Sequence, residues 1–399
     1  MSRRFHTSVP LSSIDSTRAR GFIVLFTCDS TARSILISLV PLQAYALLGA
    51  AQVVSVVYFL VAILGLAASL AVPTVLHLLR RRWVLTAGAV LQIASVVMLA
   101  WGTTTTLVAG LLLQAFAAAA LDVVINLYLL DHIPRRGLNN FEPKRLLFAG
   151  SAFALGPWLG VYLARHVGAH VTYVVAAVAT LSLLVFFWSM RLADNPSLQV
   201  GGAPPPNPLR FVARFFSQPR LALAWFLALG RNGWWVMYFI YTPIYVANAG
   251  YSAEVGGGLV SLGLAAMLMV RVWGRIGQVI GMRNLLTIAY GLSGLFSIAG
   301  ATAAFLDQPR LCMALVCIAA WSATAIDGAG NVPFLRAVRH FERVHMTSVF
   351  MTFRHVGALA IPGVLALVLW FLPLPAVFAV GGAMAIVMAG LSRFLPRGM

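Results

Sequence analysis

Seven charged side chains stand deep inside long apolar stretches of this chain: Asp29, Arg33, Asp122, Arg231, Arg271, Asp327 and Arg354. A charge in hydrocarbon costs at least a few kcal/mol, so each must face a bundle interior, a water-filled cavity or a partner. Carboxylates at such depth can carry a proton between compartments, which makes Asp122, Asp327 and Asp29 candidates for coupling solute movement to a proton gradient. Pairing is the other reading. Asp29 and Arg33 are four residues apart on one helix face, and Arg231, Arg271 or Arg354 could hold Asp122 and Asp327.

A second pattern begins at Arg231. Trp234, Tyr238, Tyr241 and Tyr245 follow it at spacings of three and four and share one helix face, with Trp235 beside them. Facing a cavity, that stripe would stack a planar or amphipathic solute, and Arg231 would meet an anionic group. Arg33, Asn126, Asn331, Arg354 and His355 complete the expected solute contacts. A packing stripe has the same spacing.

The positioning elements follow from composition. The residues are 61% hydrophobic and 10% charged, with a mean hydropathy of +0.90, which excludes an ordinary soluble domain. Twelve apolar runs are long enough to cross a ~30 Å hydrocarbon core; they fall near 21–48, 53–79, 83–102, 107–133, 146–167, 171–192, 221–249, 255–281, 285–305, 311–338, 347–372 and 376–395. Counted along these spans at ~1.5 Å per residue, the seven charges form one layer ~10 to 18 Å deep. The other half of each membrane path holds neutral polar groups such as Gln43, Gln92, Gln114 and Asn248.

The formal charge of +18 is not a nucleic-acid signature, because the basic residues are not clustered in one patch. Apart from those inside spans and Arg165 and Arg310, they collect in the turns on one side of the bilayer, which predicts cytoplasmic termini by the positive-inside rule. Glu142 with Arg145, mirrored by Glu342 and Arg343, suggests ion pairs among those turns. Cys28, Cys312 and Cys317 have neither metal-site nor disulfide spacing. Residues 193–220, rich in Pro, Gly and Arg, separate an N-terminal unit (1–192) from a C-terminal one (221–399), and 209–216 suits a short amphipathic helix in the interface.

The two units repeat. At an offset of 205, Asp122 falls on Asp327, Asn126 on Asn331, Phe148 on Phe353 and Pro157 on Pro362; at 202 and 201, Pro41 falls on Pro243 and Arg82 on Arg283. Asp29 and Arg231 then occupy equivalent positions with opposite charge. Because only the second copy carries the aromatic stripe, the solute site is expected to be weighted toward the C-terminal unit.

Two parallel six-helix units joined by a basic loop resemble the major facilitator superfamily over essentially the whole chain. Its loop motif, Gly-x3-Asp-Arg-x-Gly-Arg-Arg, is visible as Gly274 through Gly281 and Arg283, with Gln278 in place of the Asp; in the first copy Pro73 and His77 replace the Gly and the Asp. Ala152-x3-Gly156-Pro157-x2-Gly160 is similar to its antiporter motif, although Leu111 stands where the companion motif has Arg. The resemblance implies an all-α integral membrane fold of twelve helices in two pseudo-symmetric bundles. Gly156, Pro157, Gly274, Gly281 and Arg283 would then serve gating. It also implies a secondary transporter working by alternating access in a bacterial inner membrane, with a small organic solute, protons and the lipid bilayer as partners, and monomeric. No catalytic group, cofactor or metal is expected.

Branches of the superfamily that import riboflavin-like vitamins or copper, and drug or metabolite exporters, are alternatives within the class. Gly233-x3-Met237 and Gly263-x3-Met267 each lack one soft ligand of the copper pattern. A non-transporting membrane assembly or sensor is the alternative from another class.

Overall fold

A computed structural model describes residues 14–132, 135–190, 209–339 and 343–396. Helices cover most of each expected span in the described chain. Helices α1 (Ile14–Ser34) and α2 (Leu39–Leu48) share the first span, followed by α3 (Ala51–Leu78), α4 (Arg81–Trp101), α5 (Thr104–His132), α6 (Arg135–His166) and α7 (Ala169–Ser189). After the short α8 (Leu209–Phe216) come α9 (Pro219–Asn248), then α10 (Ala253–Ala265) and α11 (Val270–Ile280), which divide the eighth span, and α12 (Met282–Phe305). The tenth span holds α13 (Pro309–Ala329) and α14 (Val332–Ala337), the eleventh α15 (Arg343–Met351) and α16 (Phe353–Phe371), and the last is α17 (Ala376–Ser392).

Nine of the described segments are long and apolar enough to cross a bilayer, and the bent pair Ala253–Met269 with Val272–Ile280 makes a tenth, its parts 58° apart. The 30-residue α9, which carries Arg231 and the tyrosines, and the 17-residue α17 bring the set into agreement with twelve. The first six spans meet the last six along α3 with α16 and α6 with α10.

The spans are less continuous than their hydropathy suggests. The first breaks over residues 35–38, one turn before Pro41, whose ring and missing N–H oppose a straight path through that turn. α9 nevertheless runs unbroken through the equivalent Pro243. Further breaks fall at the 3₁₀ turn Ala266–Met269, at Gly330–Asn331 and at Thr352. Each lies within a few residues of an intramembrane charge.

α8 forms where the sequence places a short helix, but its aromatic face seats on protein. Phe215 is fully buried, with its ring 6.5 Å from Phe334, and Phe216 packs edge-on against Trp225. The rest of the linker, 193–208, and the side chains of Pro73, His77, Glu142, Arg271, Glu342 and Arg343 lie outside the described residues.

Candidate functional site

In the last turn of α1, beside the break in the first span, Arg33 joins two carboxylates. Its Nε donates to Asp29 Oδ1 at 3.1 Å, while its two terminal nitrogens donate to Asp122 on α5 at 2.9 and 3.3 Å, a bidentate grip. Asp29 and Arg33 are mostly buried, whereas the Asp122 side chain is 53% exposed, so the cluster is open to solvent at one edge. Two carboxylates share one guanidinium here. Asp122 is therefore held by Arg33, not by the arginines the sequence suggested.

The second copy solves the same problem differently. Arg231 Nε lies 3.6 Å from Asp327 Oδ1, its NH2 group donates to Asn331 Oδ1 at 3.1 Å, and Trp235 Nε1 donates to Asp327 Oδ2 at 2.8 Å. With the offset of 202 that relates Pro41 to Pro243, Trp235 stands where the first copy has Arg33. Each aspartate is thus met from the first helix of its own unit, Asp122 by Arg33 and Asp327 by Arg231 and Trp235, but Asp327 is matched by a single cation. Its counterpart cluster carries one carboxylate in excess.

The break after α13 puts Asn331 within reach of Arg231. It turns at Gly330, whose φ of +54° and ψ of −131° suit a residue without Cβ. Gly330→Ala should cost about 1–3 kcal/mol of strain and lower the unfolding temperature of the purified protein measurably. Retention of wild-type stability would show that the turn is not held in this conformation.

The aromatic stripe packs inward. Trp234, Tyr238, Tyr241 and Tyr245 are at most 5% exposed, and each has a protein partner. Trp234 Nε1 donates to Ser297 Oγ, Tyr238 Oη to the Leu259 carbonyl, Tyr241 Oη meets Ser55 Oγ at 2.6 Å, and Tyr245 lies edge-on to Phe378. α9 instead presents Phe239 and Ile240 to a central pocket of about 340 Å³. Arg33, Tyr58, Gln92, Gln114 and Phe153 line the same space, together with Leu36 and Ile37 of the broken turn. The expected weighting toward the C-terminal unit is thus reversed for this pocket, because hydrogen bonding takes the tyrosines into the core. Spacing marks a face without saying which neighbour it meets.

The layer is not sealed by the surrounding helices. Asp122, Asn126 and Arg354 are exposed there, and the Asn126 amide is tied back to the Asp122 carbonyl at 2.7 Å. Arg354 has no carboxylate partner among the described residues; Phe353 sits between it and Arg231, with guanidinium carbons 5.9 and 5.7 Å from the ring centre. His355 is half-buried beside it. The side away from the basic turns is shut by contacts between the first six spans and the last six. Tyr45 Oη donates to Asn248 at 2.9 Å, Trp158 N to Ser261 Oγ at 2.9 Å, and His166 Nε2 lies 2.8 Å from Glu254 Oε1.

The antiporter-like glycines fit this closure. A Cβ on Gly156 would lie 2.3 Å from Ser34 Oγ and one on Gly160 1.9 Å from the Ile35 carbonyl oxygen, so both admit the broken turn of the first span. The Pro157 carbonyl approaches Gly257 of α10. Gly281, at a φ of +83°, makes the tight turn into α12 beside Arg283, and Gly274 has open space around it.

A helical bundle closed on one face, open on the other and charged at mid-depth is the architecture of a membrane carrier. The sequence model of the Major Facilitator Superfamily matches residues 22–362, and the chain belongs to that family. Its fold is similar to a nucleoside transporter, NupG, with a TM-score of 0.73 at 14% identity over 94% of this chain and 98% of that one. A POT family transporter in complex with a thioalcohol-conjugated peptide gives 0.70 at 14% identity over 93% and 94%. A bacterial homologue of the iron transporter ferroportin in an inward-facing state gives 0.67 at 14% over 96% and 100%. No curated protein matches the sequence significantly.

Proposed function

We propose that the chain couples proton movement to the transport of a small, largely uncharged organic solute with a planar or amphipathic body. Residues 1–192 and 221–399 rock about the central pocket, and the basic turns and both termini face the cytoplasm of a bacterial cell, so the conformation described is inward-facing. The observation that carries this reading is Arg33 shared by Asp29 and Asp122 at the lip of the pocket. A cluster at membrane depth with one carboxylate in excess is neutralised by one proton, whereas the Arg231–Asp327 pair is already balanced. At this pocket an anionic solute is disfavoured, because Arg33, the cation in its lining, is engaged by carboxylates and Arg354 is not among the lining residues.

Accumulation in proteoliposomes under an imposed pH gradient tests the coupling. Carrying one proton per solute, the wild type should concentrate solute up to about tenfold per pH unit. Asp122→Asn and Asp29→Asn should equilibrate solute without concentrating it, and Asp327→Asn should retain coupling. Undiminished gradient-driven accumulation in both of the first two variants would end the proposal.

A further inference from the structure

The central pocket contains a polar group with nothing to bind. Gln92 is 3% exposed, and its Nε2 has no hydrogen-bond partner among the described residues, although the side chain lines the pocket. A buried unpaired amide costs about 1–3 kcal/mol, so its persistence points to a partner that comes and goes. Gln114, on the adjacent α5, lines the same space and makes no side-chain hydrogen bond among the described residues, in contrast with Gln43, which donates to the Leu99 carbonyl at 2.7 Å and accepts from Tyr173. Two carboxamides therefore border one small volume whose other walls include Phe153 and Phe239, with the unpaired Gln92 amide buried at its edge.

Charge narrows the occupant. Of the Asp29–Arg33–Asp122 cluster only Arg33 reaches the pocket lining, so a cation entering it would meet a guanidinium first. An anion would have to compete with carboxylates held by all three nitrogens of that guanidinium. The volume, about 340 Å³, lies at the lower end of the ~300–1,000 Å³ typical of ligand sites and suits one or two rings. Discontinuous helices at mid-membrane commonly form such sites, and the broken turn at Leu36 and Ile37 contributes a wall here.

We infer that the pocket takes an uncharged planar heterocycle whose edge sets an N–H beside a C=O, as in a cyclic amide, imide or ureide, with Gln92 and Gln114 pairing that edge. The inference rests on the transporter reading for the route of entry, but the site is testable by binding alone. Purified full-length protein is challenged with uracil and hypoxanthine, and with 1,3-dimethyluracil, benzoate and benzylamine as shape-matched compounds lacking the neutral N–H edge. Saturating uracil or hypoxanthine should raise the unfolding temperature by roughly 3 °C or more, and the three others should not. Gln92→Leu and Gln114→Leu should each weaken binding by about tenfold, and Gln92→Leu should fold at least as stably as wild type because it removes the unpaired amide.

The inference falls if no heterocycle stabilises the protein, if 1,3-dimethyluracil serves as well as uracil, or if both glutamine variants bind normally. Uptake into proteoliposomes separates the two readings. Accumulation of a solute without the N–H edge overturns this assignment and leaves the transporter standing; a heterocycle that binds through Gln92 and Gln114 yet never crosses the bilayer supports the site and removes the transporter.

Discussion

Replacing Arg33 by methionine should destabilise the protein by about 3–5 kcal/mol, the usual result of removing one partner from a buried ionic group. The side chain keeps much of its length and apolar stem, so the loss is electrostatic. Asp29, mostly buried, and Asp122 would remain together at membrane depth with no cation between them. Thermal unfolding in detergent measures the cost, and a second substitution identifies its source. Adding Asp122→Asn and Asp29→Asn to Arg33→Met should recover most of the stability, because three neutral groups then occupy the space of the cluster. A triple variant as unstable as the single one would mean that Arg33 acts through packing.

Gly160→Ala should be at least as damaging, by a steric route. Its Cβ would lie 1.9 Å from the Ile35 carbonyl oxygen and 2.9 Å from the carbonyl carbon, and both belong to backbone that cannot rotate away. α6 must move off the first span or the broken turn must shift, and either displaces Leu36 and Ile37 from the pocket wall. We expect little folded protein from this variant, and no transport from what does fold. Gly274→Ala, where a Cβ meets nothing within 4 Å, should be close to neutral in folding yield. Equal yields of the two variants would contradict the close approach.

The layer of charges was legible because lipid makes such residues rare, so Asp29, Arg33, Asp122, Arg231 and Asp327 stood out from their surroundings. Their pairing was only half legible. Asp29 with Arg33 follows from a separation of four, but Arg33 and Asp122 are 89 residues apart and meet only because α1 and α5 turn those faces toward each other. The stripe on α9 shows the same limit: its spacing fixed one face, while the partners at Ser55, Leu259 and Ser297 lie on other helices. Gln92 and Gln114 were visible as polar residues in the outer half, yet nothing local distinguishes them from the satisfied Gln43. The break in the first span had a signal in Pro41, and the one after α13 had a signal in Gly330; hydropathy, which averages over both, passes through them.

The sharing of one guanidinium by Asp29 and Asp122 also bears on the electrical behaviour of the carrier. If that cluster binds and releases a single proton, the loaded and empty forms differ by one elementary charge at the same depth. Only one of the two reorientations in the cycle can then be electrically silent. The other should speed or slow with membrane voltage, biased by up to ~2.3 kcal/mol per 100 mV if the charge crosses the whole field, so the two half-cycles cannot respond alike to the potential across the membrane.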